Sequence, residues 1–481
     1  MAYNAATIAM KTVEAPKQVQ TTSVHPSRHL TGERLMQRQM VMVGFLQAQN
    51  CTNLVSSWRH PDSREDSWSP DFYATIGRVL EEGKFHVGFF DDRLAMPDRY
   101  GNDHRHTVQH GIRCVKMDPV TVLMVMAMAT KRLGLGSTRS TTYYEPFDVA
   151  RTFATIDLMT NGRAAWNVVT SMNDGEALNM GRDLHMEHDR RYDRAEEFMH
   201  VVMGHWNSWD DDAIVQDKTT GLFAHPDKIR RIDHEGKYFR SRGPFTVPRS
   251  KQGHPVIIQA GQSGPGKRFA ARWGELLFVG SPITLDVGRK NYREIKDSVA
   301  AQGRDPHHCI IAPSAYVIAA ESKMEAEDKA ALVETLGTDD DALSLLSEAM
   351  NFDFASKGLD EPFTDEELAN ISGTQSMRDR VVQLSGLKNP TPKDFITFSR
   401  RARPNKPFVG GPKDVADGLE EWFSTGVCDG FVVAATNVPG SYVDFVKYVI
   451  PELQRRGLYH KDYQGETLRE NLGLPIPRAR H

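Results

Sequence analysis

The chain has 481 residues, 40% hydrophobic and 25% charged, with 59 basic against 63 acidic side chains and a formal net charge of −4. That length suits one large α/β barrel with insertions, or two to three smaller domains. The slightly acidic balance argues against a dominant role on nucleic acid or on an anionic membrane. No apolar run reaches the roughly 18 residues of a membrane span. Residues 1–36 are polar and mixed, with no apolar core of a secretion signal, so they read as a flexible N-terminal arm and the protein as cytoplasmic. Cys51, Cys114, Cys309 and Cys428 lie far apart without a CxxC, which points to reduced core thiols rather than a disulfide frame or a zinc site.

In chain order, strand-like and helix-like segments alternate. MVMVGFL (40–46) precedes a helix at 71–83, and HVGFFDD (86–92) leads through a polar loop to a helix at 118–131. LGLGSTRS (133–140) precedes a helix at 147–159, and RAAWNVVTS (163–171) one at 191–206. PVIIQAG (255–261), ELLFVGS (275–281) and CIIAPSAYVIAA (309–320) precede helices at 266–274, 284–302 and 321–336. DGFVVAA (429–435) precedes the last, at 442–457. Alternation of this kind predicts a parallel sheet. Eight units favour a closed (β/α)8 TIM barrel, with an open doubly wound sheet as the alternative. Two stretches interrupt the pattern. Residues 207–254 contain a hairpin-like GKYFRSRGPFTVP, and the acidic, Pro-jointed stretch 337–408 has the size of a lid beside a barrel mouth. The run Leu123-Met124-Val125-Met126-Ala127-Met128 reads as helix core.

The turn Gln262-Ser263-Gly264-Pro265-Gly266-Lys267 lies between a strand and a helix start, where free N–H groups and the helix dipole favour a phosphate. Gly261-x4-Gly266-Lys267 fits most of a nucleotide P-loop, but Arg268 stands where Mg²⁺ needs Ser or Thr, so an ATPase is disfavoured. His188 and Tyr192, four apart, share a helix face and can hold a phosphate or ribityl chain. A zinc reading of His185 and His188 lacks a third ligand, and no metal site is expected. Strand ends offer Asp92, Thr138, Ser140, Asn167, Thr170 and Ser263, mostly small polar groups. No nucleophile–base pair or carboxylate pair stands out, so no catalytic residue is assigned. Such a lining suits a cofactor that carries the hard chemistry itself.

Longer stretches carry a family resemblance: WRHP (58–61), EEGKF (81–85), TTYYEPFDVARTFATIDLMTNGRAAWNVVTS (141–171) and EHDRRYDRAEEF (187–198). RGPFTVPRSKQGHPVIIQAG (242–261), DGF (429–431), IPELQRRG (450–457) and YQGETLRENLGL (463–474) continue it. In this order they resemble the nitrilotriacetate monooxygenase / dibenzothiophene-sulfone monooxygenase group of bacterial luciferase-like flavin-dependent enzymes, over roughly residues 38–475. The resemblance implies a TIM barrel with insertions. It implies reduced FMN, supplied by a separate NAD(P)H-dependent flavin reductase, that reacts with O₂ to a flavin C4a-(hydro)peroxide oxygenating a small molecule. A homo-oligomer, dimer or tetramer, is the implied assembly.

By the same resemblance, Asp92, Thr138 and Asn167 should lie against the flavin, His188 and Tyr192 near the ribityl phosphate, and Ser263 and Gly264 in the phosphate loop. Phe45, Asn53, Phe90 and Tyr143 are expected at the substrate pocket. The sulfone-oxidising members carry a His about where Asn53 falls here and another in the lid near Ala349. Those departures and the aromatic residues favour an apolar aromatic or halogenated xenobiotic, oxidative dehalogenation included. An aminopolycarboxylate, which the basic loop 99–119 suits, or an organosulfur compound is the alternative. A non-catalytic flavin-binding barrel is the reading from another class.

Overall fold

The computed structural model describes residues 38–54, 56–172, 174–261, 263–399 and 408–479. The expected arm at 1–36 and Gln262 of the Gly-rich turn lie outside them. The chain divides into Met1–Arg38 and Gln39–His481, and the second unit is the one described below.

All eight expected strands form, as β1 (Val41–Gln47), β2 (Val87–Asp91), β3 (Gly134–Ser140), β4 (Ala164–Val169), β5 (Val256–Gln259), β6 (Leu276–Val279), β7 (Ile310–Ala319) and β8 (Gly430–Ala434). Each pairs in parallel with the next, and β8 returns to β1, which closes the barrel; the open-sheet alternative is excluded. These strands read as continuous apolar runs because both faces are buried. Inward residues such as Val43, Phe89, Ile258 and Val432 fill the barrel, while outward Met42, Phe90, Trp166 and Val433 pack under the helices.

The helices include α1 (Pro70–Glu82), α2 (Arg105–His110), α3 (Pro119–Ala129), α4 (Pro146–Met159), α5 (His188–Trp206), α6 (Gly264–Trp273), α7 (Leu285–Ala301) and α8 (Lys323–Thr335). Their starts are written locally. Ser69 and Asp118 accept hydrogen bonds from Phe72 and Val120 N–H, each followed by a proline that is preset for the first turn. Helix α3 corrects one expectation: Leu123 and Met126 are buried, but Met128 is 89% exposed. A helix apolar on every side carries no signal of which face turns inward.

The stretch 207–254 carries two short hairpins, Ile214–Asp217 with Leu222–Ala224 and His234–Glu235 with Arg240–Ser241. The stretch 337–408 folds mainly as α9 (Asp339–Met350), α10 (Asp365–Asn370), α11 (Gln375–Ser385) and α12 (Pro392–Phe398). It has its own core, in which Phe354, Phe363 and Phe395 meet edge to face at 5.1–5.5 Å. Phe408–Gly410 extends the far end of β7. After α13 (Pro412–Ser424) and β8, the tail crosses the N-terminal end of the barrel, where Leu468, Leu472 and Leu474 join the interior core.

Arg469 fixes that tail. It is fully buried, its guanidinium bonds both Glu275 oxygens at 2.7 and 2.9 Å, and its Nε donates to His254 O at 3.1 Å. Burial opposes ionisation of Glu275, yet the charge and hydrogen bonds of Arg469 hold its carboxyl below the ordinary glutamate range. Arg469→Met leaves a buried carboxylate without its partner. It should cost about 3–5 kcal/mol in urea unfolding, and a loss near zero would show that the tail is held by its leucines alone.

Candidate active site

The C-terminal strand ends converge on two clusters. In the first, Thr138 on β3 and Asn167 on β4 are register partners. Asn167 Nδ2 donates to Thr138 Oγ1 at 2.9 Å, and Thr138 Oγ1 donates to Phe90 O at 2.9 Å. Asn167 is 5% exposed, and its Oδ1 is buried without a partner. A buried amide oxygen in that state loses its hydration, so an N–H donor from a bound molecule would satisfy it.

In the second cluster, His188 and Tyr192 stand on the first turns of α5, rings 5.2 Å apart, and His188 Nε2 meets Ser263 Oγ at 3.1 Å. Ser263 caps α6, accepting from Gly266 N–H at 3.2 Å. A Cβ on Gly266 would lie 2.7 Å from Tyr192 Oη and 3.0 Å from Ser263 Oγ, so only glycine leaves this cradle open. Three hydroxyl or imidazole groups thus face the start of a ten-residue helix, Gly264–Trp273, a geometry that accepts a phosphate.

Asp92 is half-buried just beyond β2. Loss of hydration pushes its carboxyl up from 3.8 to about 7, against the lowering charges of Lys116 and Arg139. Of the residues expected at the substrate pocket, Phe45 faces the barrel interior, stacked on Phe89 at 5.8 Å, and Phe89 meets Phe278 at 4.8 Å. Phe90 does not join them. Side chains alternate along a strand, so Phe90 points outward, fully buried against Tyr73. Tyr143 Oη meets His185 Nδ1 at 2.5 Å, and burial lowers that imidazole to about 4, leaving it neutral. Asn53 Oδ1 accepts from Arg113 at 2.9 Å.

Several neighbours had no local sequence signal. Arg191, one residue before Tyr192, donates to Ser171 O and to Thr170 O, fixing the loop after β4. Arg113 also meets Glu348 of the lid at 3.3 Å, and Glu176 accepts from Leu94 and Met172 N–H. These pairs span up to 235 residues, which no window along the chain reveals. A cavity of about 550 Å³ does not coincide with either cluster. It runs between α6 and α7 beneath Gly261 and Lys267, past Leu277, Ile295 and Val427, so volume alone does not locate the chemistry.

Residues 75–429 match the luciferase-like monooxygenase family, and the chain belongs to it. It is a flavin-dependent monooxygenase. It is 42% identical over 452 residues to the dibenzothiophene-sulfone monooxygenase of Rhodococcus erythropolis, covering 92% of this chain and 98% of that protein. It is 39% identical over 427 residues to nitrilotriacetate monooxygenase component A of Aminobacter aminovorans, covering 88% and 94%. Among solved structures, a riboflavin lyase determined with modified FMN and riboflavin superposes with a TM-score of 0.83 at 31% identity, over 91% of this chain and 97% of that one.

Asp92 gives a pH test. Its folded value exceeds the ordinary 3.8, so folding takes up a proton between 3.8 and about 7. The stability contributed by the neutral carboxyl is complete below 3.8 and lost as pH rises through about 7. Between about pH 5 and about pH 8 the protein should therefore lose more unfolding free energy than Asp92→Asn. Parallel losses in the two proteins would remove Asp92 as the titrating group.

Proposed function

We propose that this chain is the oxygenase component of a two-component system that binds reduced FMN and oxygenates a small apolar molecule, aromatic or halogenated. The observation that carries the reading is the convergence of His188, Tyr192, Ser263 and Gly266 on one helix start, with Thr138 and Asn167 at the ends of neighbouring strands. A phosphate cradle and an unsatisfied amide fit the two ends of a flavin mononucleotide. Reduced FMN, when bound, supplies the electrons by which O₂ gives one oxygen atom to the substrate.

In this reading the residues bind, orient and exclude water. Ser263 and Tyr192 hydroxyls and the His188 imidazole donate to the phosphate, and Gly264 leaves the helix start unobstructed. Asn167, held by Thr138, presents its amide to the ring edge. Asp92, with its raised proton affinity, holds a proton at the mouth near neutral pH. Tyr143 and the interior aromatics Phe45 and Phe89 supply apolar surface, and α9–α12 close over the mouth to keep the site dry.

One observation supports this substrate class over the aminopolycarboxylate alternative. The basic loop after β2 is matched in part: Arg113 is paired with Glu348 and Asn53, and Glu348, Glu176 and Asp91 lie around Arg93, while the Nε of Arg99 is buried without a partner. Burial works against the charge on Arg93, but those carboxylates strengthen it. Cations already neutralised by carboxylates have little attraction left for a polyanion. A relative named as one component of its enzyme, nitrilotriacetate monooxygenase component A, supports electron supply by a separate NAD(P)H-dependent flavin reductase. No described helix is long and apolar enough to cross a membrane. The exposed methionines, Met128 at 89% and Met159 at 70%, support a homo-oligomer that covers them.

Incubation with FMN, NADH, a generic flavin reductase and a panel of aryl sulfones, halogenated aromatics and aminopolycarboxylates tests the function, read by mass spectrometry. Oxygenated or dehalogenated halogenated aromatics are expected, and turnover of aryl sulfones or aminopolycarboxylates alone would reverse the substrate assignment. Ser263→Ala and Tyr192→Phe should each weaken reduced-FMN binding by about 1 kcal/mol in anaerobic titration. Unchanged affinity in both would take them out of the phosphate site. Replacing α9–α12 by a short linker should leave reduced-flavin consumption intact while diverting it to H₂O₂; full coupling in that variant would deny the lid its role.

A further inference from the structure

Away from the two clusters, three metal-ligating side chains from distant parts of the chain meet. His106 and His110 lie four apart on α2, so they project from one face. His106 Nε2 is 3.2 Å and His110 Nδ1 2.7 Å from a single oxygen, Oδ1 of Asp341, on the first turn of α9. The imidazoles stack with centroids 4.1 Å apart, and the three ligand atoms lie within 4.8 Å of one another. Asp341's side chain is 2% exposed, whereas those of His106 and His110 are 21% and 34% exposed, open to an arriving ion. The second Asp341 oxygen, Oδ2, accepts the Thr338 N–H at 3.0 Å and the Ser56 hydroxyl at 3.4 Å. Oδ1 is thereby left facing the two rings.

We propose that His106, His110 and Asp341 form a site for a divalent transition-metal ion of the zinc class. Four ligands at about 2.0–2.1 Å in a tetrahedron stand about 3.3 Å apart. The observed 2.7 and 3.2 Å need only rotamer adjustment of the part-exposed His110 to reach that spacing. Two imidazoles and one carboxylate form a mixed nitrogen–oxygen set that suits zinc, nickel or copper; magnesium and calcium take all-oxygen shells. Water completes the fourth position. The Thr338 N–H and Ser56 hydroxyl orient the carboxylate as outer partners of metal ligands do. Asp341 belongs to the lid and the histidines to the segment after β2, which begins at Asp92, so the ion fastens the lid to the rim of the mouth. The i, i+4 spacing of the two histidines is local, but Asp341 lies 235 residues from His106, so no window along the chain shows the third ligand. It does not depend on the substrate assignment.

The test uses the full chain without a histidine tag, stripped with chelator. Titration with Co²⁺ should produce the visible absorption of a tetrahedral nitrogen–oxygen site. Competition against a chromophoric chelator should give one tightly bound Zn²⁺ per chain. The paired His106→Gln and His110→Gln variant should lower zinc affinity at least about tenfold and abolish the cobalt spectrum, with its fold checked by circular dichroism. The His307→Gln and His308→Gln pair should leave both unchanged. Asp341→Asn should behave as the histidine variant does, though its capping of α9 makes the histidine pair decisive. Zinc should raise the Tm of the unaltered protein and not that of the histidine variant. No cobalt spectrum, or zinc uptake and Tm shift equal in both proteins, overturns the site and leaves a hydrogen-bonded clamp.

Discussion

Every feature at the mouth depends on how the other end of the barrel is closed. Eight short parallel strands leave an interior that must be filled from one end for the opposite end to serve as a site. Here the filling is local and tail-borne. Inward residues of the strands pack on Leu468, Leu472 and Leu474, and Arg469 ties that strap to Glu275 at the foot of β6. Gly134 shows how closely the strap approaches: a Cβ there would fall 2.6 Å from a Leu468 methyl. With the foot plugged and ion-paired, the strand ends above are held in fixed register, and Thr138 and Asn167 stay side by side.

Polar groups are handled differently at the two ends. At the foot, buried charge is hydrogen-bonded, as with Arg469 on Glu275, His254, Pro255 and Pro475, and Arg163 on the carbonyls of Ala127, Thr130, Leu133 and Thr160. At the mouth, buried polar atoms are left open, among them Asn167 Oδ1 and Gln47 Nε2. The contrast fits the proposed function. A foot that only holds must satisfy its groups, whereas a rim that binds must leave some unsatisfied until a ligand arrives. The lid shares this economy. Its core of phenylalanines makes it a folded unit, and its links to the barrel mouth are mixed: Ile112 packs on Leu345, both buried, beside the polar pairs Tyr100 to Asp340, Gly101 to Asp353, Arg113 to Glu348 and Arg380 to Ser281.

Phe90 and Met128 mark where reading along the chain stops. Phe89 and Phe90 are the same residue type, one position apart, and only strand alternation in a closed barrel sends one inward and the other under α1. Met126 and Met128 are equally apolar on a helix with no polar face, and only packing against α1 turns the first inward. His188, Tyr192 and Ser263 lie within that limit. A helical spacing of four and a Gly-rich strand-to-helix turn are local signals, and the fold brings the two segments within hydrogen-bond reach.

The sequence by itself determined the alternation of strands and helices, the helix starts at Ser69, Asp118 and Ser263, the Gly-rich turn and the family. All of these are encoded within windows of a few to a few tens of residues, where periodicity and capping act. Only the tertiary structure decided the closure of β8 on β1, the strap through Arg469 and Glu275, the matching of Arg113 with Glu348, and the meeting of His106, His110 and Asp341. Those depend on contacts between segments up to hundreds of residues apart, whose pairing is fixed when the whole chain buries its apolar surface and not before.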